Sequence, residues 1–278
     1  MTVKEALNKA KEELKNVPDR DVDASWIVCA VAGITRSELH FLSDKVLSEK
    51  QILLLEKILE RRKTREPLQH IFGFVPFYNI ELKTDKRALI PRDETAILAE
   101  LAIDFISKNQ YNTALDIGTG SGAIAITVKK NLPKVRVTAS DISENALSLA
   151  RENAIKNNTD IEFIKSDLFE NISGKFDAIL SNPPYIPTKD IEKLERELSF
   201  EPENALDGGA DGLDFYRDII LEAKAHLNKN GLLMFEIGFD QGDAVKTLLA
   251  KSGFTDAKVV KDYAGLDRIV YCFYEEII

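Results

Sequence analysis

Cysteine, histidine and tryptophan are scarce in this chain of 278 residues: two, three and one. Cys29 and Cys272 lie near opposite ends and make no disulfide framework, which fits a reducing compartment. No Cys or His pair stands at metal-ligand spacing, so no metal is expected. Long apolar runs are missing too. The longest, around Ile27 to Ile34, includes Cys, Ala and Gly and is too short to span a bilayer. The start, Met1 to Leu7, is amphipathic and charged, without the apolar core of a signal peptide. A soluble cytoplasmic protein with no membrane association is expected. Two methionines leave no Met-rich surface for promiscuous binding. Positive charge is in deficit: 37 Lys and Arg against 46 Asp and Glu, a net charge of −9. That opposes broad nucleic-acid binding, where phosphate neutralisation supplies most of the affinity. The deficit is uneven, with a balance of +1 over residues 1–75 and −10 over 76–278.

What is present is ordinary globular composition, 44% apolar and 30% charged, at a length that suggests about two domains. Residues 1–72 read as a small helical bundle. Ala6, Leu7, Ala10 and Leu14 recur at helical spacing, as do Trp26, Ile27, Ala30 and Val31, then Leu53, Leu54, Ile58 and Leu59. Leu39, Phe41 and Leu42 read as an apolar connector. Arg61, Arg62, Lys63 and Arg65 are either a solvated helix C-terminus, favoured by the macrodipole, or a partner-binding patch. Residues 73–91 read as a β-hairpin linker rich in aromatics, with Gly73 and Pro76. A helix over 94–107 opens the last domain, residues 92–278. Strands are then predicted over 114–117, 135–139, 161–164, 176–180 and 232–237, with a final pair over 258–261 and 268–274. Helices over 123–130, 144–157, 215–228 and 243–252 alternate with them. Alternation of this kind makes a doubly wound, parallel α/β sheet.

The turn after the first of these strands reads Asp116-Ile117-Gly118-Thr119-Gly120-Ser121-Gly122. In open α/β sheets ligands bind at the carboxyl ends of strands near the switch point. Glycine lets the backbone approach a ligand where a side chain would clash. Asp141 ends the next strand, about twenty residues on, where an acidic residue commonly holds a ribose diol. The turn fits S-adenosylmethionine, a dinucleotide, or a purely structural role. A P-loop is excluded, because no Lys-Ser/Thr follows the glycines. Asp116 favours the first reading, since its carboxylate can fix the loop and approach a cationic ligand. Asp167 either accepts the exocyclic amine of adenine, with Leu168 covering the ring, or caps a loop.

The fourth strand ends in Asn182-Pro183-Pro184-Tyr185. The two prolines remove two backbone donors. What remains is acceptors, the Asn182 side-chain oxygen and the Pro183 carbonyl, with Tyr185 as a flat face for a planar group. An NH₂ on an sp² carbon, an amide or a nucleobase amine, can donate to both. Its lone pair is delocalised, so gripping both hydrogens to aim it supplies rate by orientation and preorganisation.

The glycine turn and the Asn-Pro-Pro-Tyr tip together resemble those of amino-methyltransferases. The rest of the chain resembles the HemK/PrmC family of peptide chain release factor glutamine methyltransferases. Matching stretches are residues 66–73, 89–92, 116–125, 181–187, 201–206, 208–217 and 236–238, in family order. The resemblance implies a class I S-adenosylmethionine-dependent methyltransferase: a mostly parallel seven-stranded sheet with an N-terminal helical bundle joined by a β-hairpin. It implies methylation of the glutamine side-chain amide in the Gly-Gly-Gln motif of class 1 release factors, with S-adenosyl-L-homocysteine released. Carried over, Gly118, Thr119, Gly120, Ser121 and Gly122 cradle the amino-acid part of S-adenosyl-L-methionine. Asp141 holds the ribose, while Asp167 and Leu168 border the adenine. Asn182 contacts both cofactor and substrate, and Pro183, Pro184 and Tyr185 complete the glutamine pocket, with Asn182, Pro183 and Tyr185 as the catalytic set. The helical domain and the loop over 201–217 shape the release-factor surface.

Asp93 and Ala96 stand where relatives usually have proline and often glutamate, and Leu168 where some have tryptophan, which weakens stacking there. The acidic loop near Asp207, Asp211 and Asp214 reads as a helix-capping surface loop or a substrate-facing lid. The rival is a nucleobase amino-methyltransferase, which calls for a basic cleft and a base-recognition module, whereas no basic, aromatic-interleaved segment appears and residues 76–278 carry −10. A non-catalytic S-adenosylmethionine-binding protein would tolerate loss of Asn182 or the glycines, and all are present. A monomer without direct nucleic-acid contacts is expected. Gly120→Val is expected to abolish S-adenosylmethionine binding, checked by calorimetric titration.

Overall fold

Two reciprocal capping boxes start the N-terminal helices. Thr2 accepts from the Glu5 N–H while the Glu5 carboxylate accepts from Thr2, and Ser48 and Gln51 repeat the arrangement. The helices are α1 (Val3–Glu13), α2 (Arg20–Ala32), α3 (Glu49–Lys63) and α4 (Leu68–Phe72). Gly33, at φ +63°, ends α2 in the left-handed region. The computed structural model describes residues 1–275. It divides into one unit of Met1–Gly73 with Arg196–Phe200, and a second of Phe74–Glu195 with Glu201 onward.

The first unit packs around Ala6, Ala10, Leu14, Ile27, Val28, Leu55 and Leu59, all fully buried. Three sequence readings need correction. Trp26, Ala30, Leu53 and Leu54 are exposed, because the inward stripes run through Ala24, Ile27, Val28 and Val31, and through Leu55, Ile58 and Leu59. Trp26 instead meets the Arg36 guanidinium, 5.3 Å from its ring. In the connector only Leu39 packs on this core, and Phe41 is 84% exposed. The basic run at the end of α3 is not simply solvated. Arg62 is buried and donates to Asp23 at 2.7 Å and to Glu197 at 2.9 Å, and Arg65 also binds Glu197.

The second unit opens with a hairpin, β1 (Phe74–Phe77) and β2 (Ile80–Lys83), and continues with α5 (Asp93–Lys108). Then follow β3 (Thr113–Ile117), α6 (Ala123–Asn131), β4 (Arg136–Asp141), α7 (Glu144–Lys156), β5 (Glu162–Lys165) and β6 (Phe176–Ser181). The remainder is α8 (Thr188–Ile191), α9 (Asp214–His226), β7 (Leu227–Glu236), α10 (Gly242–Lys251), β8 (Thr255–Lys261) and β9 (Asp267–Phe273). Strands β3 to β9 form one seven-stranded sheet in the order β5-β4-β3-β6-β7-β9-β8. β9 runs antiparallel to both neighbours, and the other pairings are parallel. This is the doubly wound fold expected.

Strand alternation sends consecutive residues to opposite faces. Leu115, Ile179, Leu233 and Val270 join one core cluster, and Ala114, Ala178, Leu232 and Ile269 the other. Helices cover both faces, as a parallel sheet requires. The helix expected to run to Asn228 stops at His226, since Leu227 pairs with Phe176 and the Asn228 amide donates to Asp177 at 2.7 Å. Sheet pairing overrides the helical pattern there. Among the described residues no helix is long and apolar enough to cross a membrane.

Arg62→Ala would leave the half-buried Asp23 carboxylate without its guanidinium, and Glu197 with Arg65 alone. A loss of about 3 kcal/mol is expected, read from urea unfolding.

Candidate active site

The sheet order reverses about β3, and the carboxyl ends of β5, β4, β3 and β6 converge there on one cavity of about 450 Å³, a volume typical of ligand pockets. Gly118, Thr119, Gly120, Ser121, Asp141, Asp167, Leu168, Asn182, Pro183 and Pro184 all line it. Two of the sequence-derived site residues do not. Gly122 caps α6 from behind, where an added Cβ would meet Ile126 at 2.8 Å and Ala150 at 3.2 Å. The half-buried Tyr185 packs against the core beneath the sheet edge, and burial pushes its hydroxyl up to about 12.

Gly118 and Gly120 have φ of +68° and +55°, and an added Cβ at either would meet nothing within 4 Å. Backbone conformation demands glycine here, and the turn stays open to the cavity. The turn is fixed from below. Asp116 Oδ2 accepts from the Thr119 hydroxyl at 2.6 Å and the Ala125 N–H at 3.2 Å. Asp116 Oδ1 is buried without a hydrogen-bond partner, and burial raises the carboxyl to about 7. Asp141 accepts from the Gly120 N–H and the Ser143 N–H, each at 2.9 Å, and each oxygen keeps a lone pair. Burial raises its carboxyl as well. Leu168 holds φ +44°, a strained conformation for a leucine, on the cavity wall. A ligand with a diol and a flat apolar part fits this set: an open glycine cradle, Asp141, and apolar Ile142 and Leu168.

Several contributors were missed in the sequence. Thr95, in the first turn of α5, lines the cavity and accepts from Asn182 Nδ2 at 3.2 Å. Gln241, almost wholly buried, donates to the carbonyls of Tyr185 at 3.0 Å and Gly212 at 3.2 Å while accepting from the Gly238 N–H at 2.9 Å. Asn153, fully buried on α7, joins Lys83 of β2 to the Ser121 carbonyl of the glycine turn. Glu201 accepts from the Ile90 N–H and pairs with Arg92, setting the neighbouring Asn204 and Ala205 on the cavity wall. Ile142 and Phe215 also line the cavity. None of these residue types carries a signal in isolation, because each role depends on a distant chain segment. The acidic loop braces the tip: Ile186 exchanges backbone bonds with Leu206 and Gly208, and a Cβ on Gly208 or Gly212 would strike the backbone of Pro184 or Tyr185.

A twisted parallel sheet in this order, with a glycine cradle at its reversal point, makes the protein a class I S-adenosylmethionine-dependent methyltransferase. The family model for the methyltransferase small domain matches residues 92–209, and that for the PrmC N-terminal domain matches residues 5–73. A solved ribosomal protein L11 methylase from Lactobacillus delbrueckii subsp. bulgaricus is similar, with TM-score 0.50 and 27% identity over 67% of this chain and 81% of that one. The release factor glutamine methyltransferase of Thermodesulfovibrio yellowstonii is 40% identical over 270 residues, 95% of this chain and 96% of its own. That of Geobacter sulfurreducens is 38% identical over 92% of this chain and 90% of its own. The chain belongs to the release factor glutamine methyltransferase family.

Asp116 gives a pH signature. Its carboxyl is raised on folding, so the folded chain holds this proton longer than the unfolded chain does. Its contribution to stability therefore falls as pH rises from the ordinary aspartate range to about 7, and is level above that. Asp116→Asn removes the titration. Relative to the ligand-free wild type, the variant is expected to gain about 1–3 kcal/mol between about pH 5 and pH 8, measured by thermal unfolding.

Proposed function

We propose that this protein transfers a methyl group from S-adenosyl-L-methionine to the side-chain amide nitrogen of the glutamine in the Gly-Gly-Gln motif of peptide chain release factors. The family and the names of its relatives support the reaction. The observation that carries the site reading is the position of Asn182, Pro183 and Pro184 on the wall of the same cavity as the glycine turn.

Gly118, Thr119, Gly120 and Ser121 would hold the amino-acid part of the cofactor, Asp141 its ribose, and Asp167, Leu168 and Ile142 the region of its adenine. Bound there, the sulfonium supplies an electrophilic methyl carbon. The chain's own work is on the nucleophile. Asn182 Oδ1 and the Pro183 carbonyl accept the two amide hydrogens, and Pro183 and Pro184 contribute no backbone N–H that could compete. The nitrogen lone pair is thereby fixed in direction, and the rate gain is orientational. Once alkylated, the nitrogen is cationic and strongly acidic, so it loses its proton to water without a tuned base. Tyr185 supports the tip through its backbone carbonyl and packed ring. We place the enzyme in the cytoplasm as a monomer, and acting on protein rather than nucleic acid, the last supported by the balance of −10 over residues 76–278.

Labelled S-adenosylmethionine tests the proposal. Label is expected on an intact release factor and on neither a Gln→Ala copy of its motif, nor duplex DNA, nor tRNA. Label on nucleic acid would overturn the substrate. Asn182→Ala is expected to lower kcat by about a hundredfold or more while cofactor affinity falls only modestly.

A further inference from the structure

An asparagine amide has two ends, and only one of them serves an amino substrate. Asn182 turns its Nδ2 to Thr95 Oγ1 at 3.2 Å. A hydroxyl has one proton and two lone pairs. If Thr95 were free to donate that proton to Asn182, the amide would settle the other way round and offer an N–H to a substrate that itself only donates. Something must therefore take the Thr95 proton.

The candidate is Glu236, the last residue of β7. β6 and β7 are paired through Ser181 and Phe235, so Glu236 follows directly beside Asn182 at the sheet edge. Its side chain is buried at 1% exposure, and Oε2 makes no hydrogen bond. The Thr95 hydroxyl is the foremost neighbour favouring its ionised form. The other charged or titratable groups around it are Arg268 on β9, Arg92 and Glu94 at the start of α5, Tyr185 on the tip and Tyr216 on α9. Arg268 is itself committed to Asp262 at 3.1 Å. Burying a carboxyl with an unsatisfied oxygen is costly and is not explained by packing.

We propose that Glu236 is a positioning residue that acts through Thr95: its carboxylate takes the Thr95 hydroxyl proton, leaves Oγ1 as an acceptor for Asn182 Nδ2, and so points Asn182 Oδ1 into the cavity. This rests on the reading that Asn182 accepts from the substrate amide. Protonation of Glu236 frees the Thr95 hydroxyl to donate and removes the preference. Burial places that titration at about 7, so the orientation becomes favourable as pH rises through it.

The test is kcat for release-factor methylation from about pH 6 to pH 8.5, with S-adenosylhomocysteine affinity measured alongside. In the wild type kcat is expected to rise through about pH 7. Thr95→Val is expected to lower kcat by about tenfold at pH 8, leave S-adenosylhomocysteine affinity within about twofold, and abolish the rise. Thr95→Ser should restore both rate and rise. Glu236→Gln should also lose the rise, since it removes the carboxyl that takes the Thr95 proton. If Glu236→Gln does not fold, Thr95→Val carries the same test, because it cuts the same link. A rise that persists in Thr95→Val or Glu236→Gln overturns the proposal, as does a Thr95→Val rate within about twofold of the wild type. Asn182→Ala separates the two readings. Near-normal turnover there removes the amide-holding reading itself, whereas a dead Asn182→Ala beside an unaffected Thr95→Val removes the Glu236 relay alone.

Discussion

A weak amide nucleophile can be aimed only by groups that accept, and most loops bristle with N–H donors. On the proposed reading, that constraint shapes the end of β6. Two prolines silence the backbone there, and the tip is then held from behind, where donors do no harm. Gln241 spends its N–H groups on the carbonyls of Tyr185 and Gly212, and the loop over 206–212 zips onto Ile186 through main-chain bonds. Gly208 and Gly212 are small because the backbone of Pro184 and Tyr185 passes within a side chain's width. Rigidity of this kind makes orientation effective as a source of rate.

The same region carries unfavourable features that the surrounding core sustains. Asp116 and Glu236 are carboxyls raised to about 7 by burial, each with an oxygen left unpaired. Leu168 sits at a left-handed backbone angle on the cavity wall. An unpaired buried oxygen and local strain cost about 1–3 kcal/mol each and persist where the rest of the fold over-determines them. Two apolar layers, one on each face of a seven-stranded sheet, provide that stability, and the awkward groups gather at the carboxyl ends of the strands, where the strand order reverses.

Much of this was legible from the chain. The strands β3 and β6 announce themselves as largely apolar runs ended by Gly118 and Asn182, because buried parallel strands have no polar face to confuse the pattern. Glycines at positive φ and a doubled proline are local requirements, so they too show in the sequence. Trp26, Leu53 and Phe41 misled because apolar identity does not say which way a helix is rotated about its axis. Arg62 misled because a buried guanidinium looks like a solvated one until its partners, 39 and 135 residues away, are known. Thr95, Asn153 and Gln241, and the surroundings of Glu236, were invisible for the same reason. Each is an ordinary polar residue whose meaning lies entirely in a distant backbone atom or side chain.

Arg62 bears on how the chain can be cut. The segment Arg196–Phe200 belongs with residues 1–73, although both of its flanks belong to the other unit. Cleaving after Gly73 therefore does not release an independent domain. It strips Glu197 of Arg62 and Arg65. The helical part is contiguous in space but not in sequence, and a clean excision would have to take both pieces.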